Sequence, residues 1–195
     1  MGAISLKYKS KSGNLTAPGD VDPGAFIPIA TTTLSTATAT ISFSAIPQNY
    51  EHLQIRGIGR SSTATAADVD LRVQFNGDTG NNYSIHYLYG SGSAAAVAAT
   101  TSNTYTTGGV IIKDGNTANT FCTNVIDILD YANTSKNKTV RVLTGWDANG
   151  SGYIYINSGA WFSTAAITSL TLTPWSGNFM TYSSFALYGI KRAGA

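Results

Sequence analysis

Two histidines (His52 and His86), one cysteine (Cys122), one glutamate (Glu51) and nine aspartates are what this 195-residue chain offers for proton transfer, nucleophilic attack or metal ligation. A general base works best with a pKa near the working pH, which makes histidine the first place to look. Both histidines fall in strand-like segments, on the side opposite their apolar neighbours. They read as solvated strand residues rather than as bases in a cleft. Glycoside hydrolysis needs two carboxylates flanking the scissile bond. The most suggestive pair is Asp127 and Asp130, inside Val125-Ile126-Asp127-Ile128-Leu129-Asp130-Tyr131. Three positions apart on a strand, they face opposite sides unless a bulge intervenes, and an aspartate ending a strand more often bonds turn amides. Asp20-Val21-Asp22 and Asp68-Val69-Asp70 each set two carboxylates at i and i+2, a start towards the shell of oxygens that calcium takes. That count assigns no metal site, and a loop calcium stays open. Cys122 sits in an apolar run and reads as a small buried hydrophobe; alone, it closes no intramolecular disulfide. Nucleophile-elbow, phosphate-loop and dinucleotide fingerprints are absent. The expectation is a protein that is not an enzyme and carries no cofactor.

Binding is better supplied than catalysis. The chain has 11 Tyr, 7 Phe and 3 Trp. Trp146, Trp161 and Trp175 lie near strand ends or turns. Such rings are flat platforms for the C–H faces of sugars, and they equally fill sandwich cores and subunit interfaces. These three tryptophans are therefore candidate glycan or interface aromatics.

The elements that must position these groups are strands. Only 11% of residues are charged, against roughly 25% in an average soluble domain. Lys and Arg number 12 and Asp and Glu 10, for a net charge of +2, while Ser, Thr and Asn make up 60 residues. Hydrophobic residues reach 43%, enough to build a core and too many for disorder. Helix surfaces are filled with Glu, Lys, Gln and Arg, which are scarce here. A charge of +2 neutralises few phosphates, which argues against a nucleic-acid partner. The N-terminus has no apolar run of signal-peptide length, and Ala94 to Ala99 is far too short to cross a bilayer. Cytoplasmic synthesis without membrane insertion is expected.

Residues 1–24 read as a strand, Ala3 to Lys9, followed by an arm with Pro18-Gly19 and Pro23-Gly24 turns. Lys7, Lys9 and Lys11 fall on one side of that segment. They are edge lysines that discourage stray pairing, or a docking face for an acidic partner surface. Residues 25–195 form the main domain. The clearest strand is Asp68 to Asn76, with Val69, Leu71, Val73 and Phe75 on one face and charged or amide residues on the other. Pro28 demotes its strand to a sheet edge. Gly57 and Gly59 suggest a bulge, and Asn76-Gly77-Asp78 a tight turn. Residues 90–108 read as the longest irregular segment. Lys138 to Trp146 and Tyr153 to Phe162 read as a hairpin. About ten or eleven short strands without helical periodicity imply an all-β, antiparallel β-sandwich, jelly-roll-like, with an extended N-terminal arm.

Three runs carry a family resemblance. They are Ile46-Pro47-Gln48-Asn49-Tyr50-Glu51-His52-Leu53; Phe75-Asn76-Gly77-Asp78-Thr79-Gly80-Asn81-Asn82-Tyr83; and an ending that comprises Ser158-Gly159-Ala160-Trp161, Ser163 to Thr173, Gly177-Asn178-Phe179 and Phe185-Ala186-Leu187-Tyr188-Gly189-Ile190. In order and spacing they resemble virion structural proteins of tailed bacteriophages, over roughly residues 41 to 190. The resemblance implies a non-enzymatic virion module, typically a homotrimer, of the capsid decoration, head-fibre or tail-fibre kind. With no shaft before the domain, a decoration (cement) protein or short head fibre docking on the major capsid protein or another virion protein is favoured. Residues 1–24, with Lys7, Lys9, Lys11, Pro18 and Pro23, would then dock on the particle. The alternative is a tail-fibre, receptor-binding or carbohydrate-binding module whose partner is a host surface glycan.

Overall fold

A computed structural model describes residues 25–64 and 68–192. The expected strand at Ala3 to Lys9 and the docking residues Lys7, Lys9, Lys11, Pro18 and Pro23 lie outside the described residues. What is described is all strand and loop. The strands are β1 (Phe26–Thr33), β2 (Ile41–Phe43), β3 (His52–Ser61), β4 (Asp68–Phe75), β5 (Tyr83–Gly90), β6 (Ala95–Asn103), β7 (Thr106–Lys113), β8 (Cys122–Leu129), β9 (Lys138–Asp147), β10 (Gly152–Trp161), β11 (Leu170–Pro174) and β12 (Ser184–Ile190).

The alternation that marks a half-buried strand sorts these elements into two sheets. One runs β1-β12-β3-β8-β9-β10-β5-β6, antiparallel throughout. The other runs β2-β11-β4-β7. They are joined at the end of β3, where Arg60 and Ser61 leave the large sheet and pair parallel with Ile112 and Lys113. The first strands pair with the last, β1 with β12 and β2 with β11. That nested winding belongs to the jelly-roll type of sandwich. Leu53 and Ile55 of β3, Ile126 and Ile128 of β8, Val140 and Val142 of β9 and Phe185 and Leu187 of β12 form the inner face of the large sheet, and Leu71, Val73, Phe75, Ile111 and Leu172 face them from the small one; all are buried in one core. Among the described residues β1 is an edge strand, in keeping with Pro28, and its register shifts between Pro28 and Ala30.

Two expectations are corrected. Residues 90–108 are not irregular: β6 occupies Ala95–Asn103 and pairs with β5 from Gly90 to Tyr83. Nor do Gly57 and Gly59 mark a bulge, because β3 keeps register with β8 through both. These glycines make room instead. A Cβ at Gly57 would lie 2.6 Å from Cε1 of Phe185 and closer still to Cδ1, and one at Gly59 2.6 Å from Cγ2 of Ile111. The bulge sits on β7. There Gly108 and Gly109 fall opposite Leu71 between the pairs Asp70–Val110 and Arg72–Thr107, and Gly109 has φ +89°. The Asn76-Gly77 turn is present, with φ +52° and +70° and the Asp78 N–H donating to the Phe75 carbonyl at 2.9 Å. It carries the chain from the small sheet to the large one.

Candidate functional site

The outer face of the large sheet is the first candidate surface. Directly paired residues form an apolar row across five strands: Val97, Leu88, Ile156, Leu143 and Val125. The first four are 47–75% exposed. Four strand spacings of about 4.8 Å make the row roughly 19 Å long. The next row is polar and internally neutral. Arg141 Nη2 donates to Asp127 Oδ2 at 2.8 Å, and Gln54 Nε2 donates to Asp127 Oδ1 at 2.7 Å. The apolar row ends on β6, which among the described residues pairs only with β5, carries no charge and is exposed at seven of nine positions. An antiparallel sheet facing water usually shows polar residues there, which makes this apolar row a candidate contact surface.

The second candidate is a cleft of about 540 Å³. One wall is the face of β5 and β10 that carries Tyr87, Tyr89 and Tyr155, with the rings of Tyr89 and Tyr155 5.3 Å apart. Across from it stand Tyr105 and Trp175, and the Arg72 guanidinium lies 4.2 Å and 4.6 Å from their ring centroids. Asp70 lines the cleft from β4. Loss of water around its carboxyl, and then the neighbouring Asp68 charge, push its pKa up. Tyr155 Oη donates to Asp68 Oδ2 at 3.0 Å, and burial together with that carboxylate raises the phenol pKa. Asn157, 5% exposed, also lines the cleft. Its Nδ2 donates to Thr107 Oγ1 at 3.0 Å, while its Oδ1 has no hydrogen-bond partner among the described residues.

The structure separates most of the titratable groups singled out from the sequence. Asp127 points outward to Arg141, whereas Asp130 follows the end of β8 with φ +51° and takes a hydrogen bond from Lys136 Nζ at 2.6 Å. They do not form a pair. His86 is exposed on the outer face of β5, opposite Ala99 and Ser158. His52 does meet acids: Glu51, His52 and Asp130 offer ligand atoms within 4.8 Å of one another. Each is already engaged. Arg192 Nε donates to Glu51 Oε2 at 3.1 Å, Lys136 holds Asp130, and the Asp130 backbone N–H donates to His52 Nδ1 at 3.0 Å. A cation there would sit beside the Arg192 and Lys136 side chains that already neutralise these carboxylates, so the cluster reads as a charge-paired strand end. Asp68 and Asp70 are accounted for in the cleft, and Asp20 and Asp22 lie outside the described residues. Cys122 is fully buried, and burial pushes its thiol up to about 12, which leaves it inert near neutral pH.

The three tryptophans divide. Trp161 is 2% exposed, stacks on Tyr83 and donates from Nε1 to Asp78 Oδ2 at 2.7 Å. Trp146 is buried and donates to Asp68 Oδ2 at 3.0 Å. Neither offers an open ring face. Trp175, 58% exposed, stands in the cleft wall. Composition did not single out Tyr87, Tyr89, Tyr105, Tyr155 or Asn157. The alternation Tyr83, Ile85, Tyr87, Tyr89 was the available signal, since it places two tyrosines on the inward side of β5 beyond the residues that pack into the core. No protein-family model matches the chain, and none of the curated proteins matches it.

Proposed function

We propose that this chain is a non-enzymatic structural protein of a tailed-phage virion, a capsid decoration (cement) or head-fibre protein that assembles as a homotrimer. The observation that carries the assembly reading is the uncharged row from Val97 to Val125 on the outer face of the large sheet. Its occupant is a second copy of this chain. Asp127 and Arg141 beside the row neutralise each other, so a second copy meets no net charge along it except at its β3 end, where the exposed Arg56 pairs with Val125. The row also ends on the edge of β6 that no other described residue pairs with, and a contact covering one shields the other. The scarcity of charge suits packed subunit contacts, where Thr, Ser and Asn hydrogen-bond without the desolvation cost of ions. The virion assignment is supported by the resemblance of the three sequence runs. A tail-fibre or receptor-binding role is the second reading, and the aromatic cleft favours it.

Fractionation of purified particles into heads and tails, with the protein followed by mass spectrometry, tests the assignment. Copurification with heads is expected. Copurification with tails selects the second reading, and absence from both overturns the virion assignment.

A further inference from the structure

We propose that the cleft between β4, β5 and β10 binds a neutral saccharide, with a pyranose ring lying against Tyr89, Tyr155 or Trp175 and its hydroxyls bonded to Asn157 and Asp70. The inference does not depend on where in a virion the chain sits.

Three features point to this ligand class. The first is the supply of ring faces. Tyr87, Tyr89 and Tyr155 form one wall, and Tyr105 and Trp175 the other. Aromatic faces are electron-rich, and the axial C–H bonds of a pyranose carry partial positive charge, so the two flat surfaces attract each other in water. The second is an acceptor with nothing to accept. Asn157 is fixed from the Nδ2 side by Thr107, and its buried Oδ1 is left without a donor. A buried amide oxygen in that state costs stability unless a ligand or water supplies an O–H. Asp70 adds a carboxylate that accepts from one or two adjacent hydroxyls. The third is size. A volume of about 540 Å³ falls within the roughly 300–1,000 Å³ of small-ligand sites and accommodates a short oligosaccharide.

Charge selects among sugars and against other stacking ligands. Asp68 and Asp70 both lie at the β4 wall. The nearest cation, Arg72, is stacked between Tyr105 and Trp175. Its guanidinium braces the two rings. A nucleotide phosphate or an acidic sugar would meet the aspartates first, whereas a neutral polyol donates to them.

The test is a glycan array and tryptophan fluorescence titration on the full chain, using neutral methyl hexopyranosides and N-acetylhexosamines as probes, with uronic and sialic acids alongside. Trp175 is the one tryptophan of the three with an open face, so binding should change its emission. Trp175→Ala, at an exposed position, should weaken saccharide binding about tenfold or more with an unchanged melting temperature. Tyr89→Ala is the second variant and should weaken saccharide binding likewise, with a lowered melting temperature because this ring also packs on Tyr87, Tyr153 and Tyr155. Loss of neutral-sugar binding in both supports the site. No neutral saccharide above background, binding that both variants retain, or a preference for the acidic sugars overturns it. Oligomer mass, measured on the same variants, should not change, which keeps failure here distinct from failure of the assembly reading.

Discussion

At the scale of single residues, the few charges serve mainly to close loops. Arg60, 3% exposed, donates to the carbonyls of Asp114, Asn116, Thr117 and Thr120, and so gathers the loop between β7 and β8 around one guanidinium. Lys138 is fully buried and donates from Nζ to the carbonyls of Asn133, Lys136 and Thr164, and burial lowers its pKa. Asn124 performs the same task without charge. Its Nδ2 bonds the carbonyls of Gly108 and Val110 at the β7 bulge, each at 2.9 Å. Asp78 does it with a carboxylate. It accepts from Trp161 Nε1, from Asn82 Nδ2 and from the Gly80 N–H, and these bonds hold its pKa below 3.8, with the Trp161 bond the largest cause. A depressed carboxyl pKa contributes stability that is present above the unfolded value and lost as pH falls through the folded one. Stability should therefore drop below about pH 3.8. Asp78→Asn should start out less stable at neutral pH by about 1.5–3 kcal/mol, because one carboxylate oxygen becomes an NH2 that cannot accept, stranding either the Gly80 N–H or the Trp161 and Asn82 donors, and the bonds that remain lose their charge. It should then lose less than wild type on acidification. Thermal melts from pH 7 to pH 2.5 check both parts, and parallel pH profiles for the two proteins would discard the assignment.

At the scale of elements, close approach between strands explains what the glycine pattern left ambiguous. Gly57 on β3 lies under Phe185 of β12, which itself packs edge-on against Phe179 with ring centroids 5.5 Å apart. Gly57→Ala should cost about 1–3 kcal/mol through overpacking. Combining it with Phe185→Leu should destabilise less than the sum of the two single changes, since the smaller side chain vacates the space the new methyl needs. Urea unfolding of the four proteins reads this directly, and strict additivity would mean that the two positions do not compete for space. Gly57-Ile58-Gly59 and Gly108-Gly109 are both glycine clusters within strands. Which one bulges depends on how the partner strand counts across it, and that is information about pairing rather than about either run. β6 was missed for a related reason. Period-two alternation appears only where one face is buried, and Ala95–Asn103 is exposed on nearly all sides. The strands from Asp68, Lys138 and Gly152 onward were legible because each buries one face. The cleft was legible only in part: Trp175 was named, but its partners reach it from β5, β10 and the β6–β7 turn, and only the folded chain brings those together.

At the scale of the whole molecule, composition and surface bear on the same question. A chain with 11% charged residues and a net charge of +2 has little electrostatic means of keeping copies apart. Four of the ten exposed large apolar residues among the described residues, Val97, Leu88, Ile156 and Leu143, are aligned in one row, which gives association a local driving force on that face. If that face is the subunit contact, association rests on removal of apolar surface from water, and screening of charges should hardly affect it. The oligomer mass by light scattering should then be the same in dilute buffer and in about 1 M NaCl, where the screening length is near 3 Å. A charge placed within the row should act differently. Leu143→Asp and Ile156→Asp sit at directly paired positions in the middle of the row, on side chains 51% and 56% exposed in the single chain, so the monomer should keep its fold and melting temperature. In the oligomer the new carboxylate would be buried without a partner, and the assembly should dissociate at micromolar concentration. An oligomer that dissolves in salt, or one that survives both substitutions, would move the contact away from this face. The polar Asp127–Arg141 row would be the next place to look in the first case, and the free edge of β6 in the second.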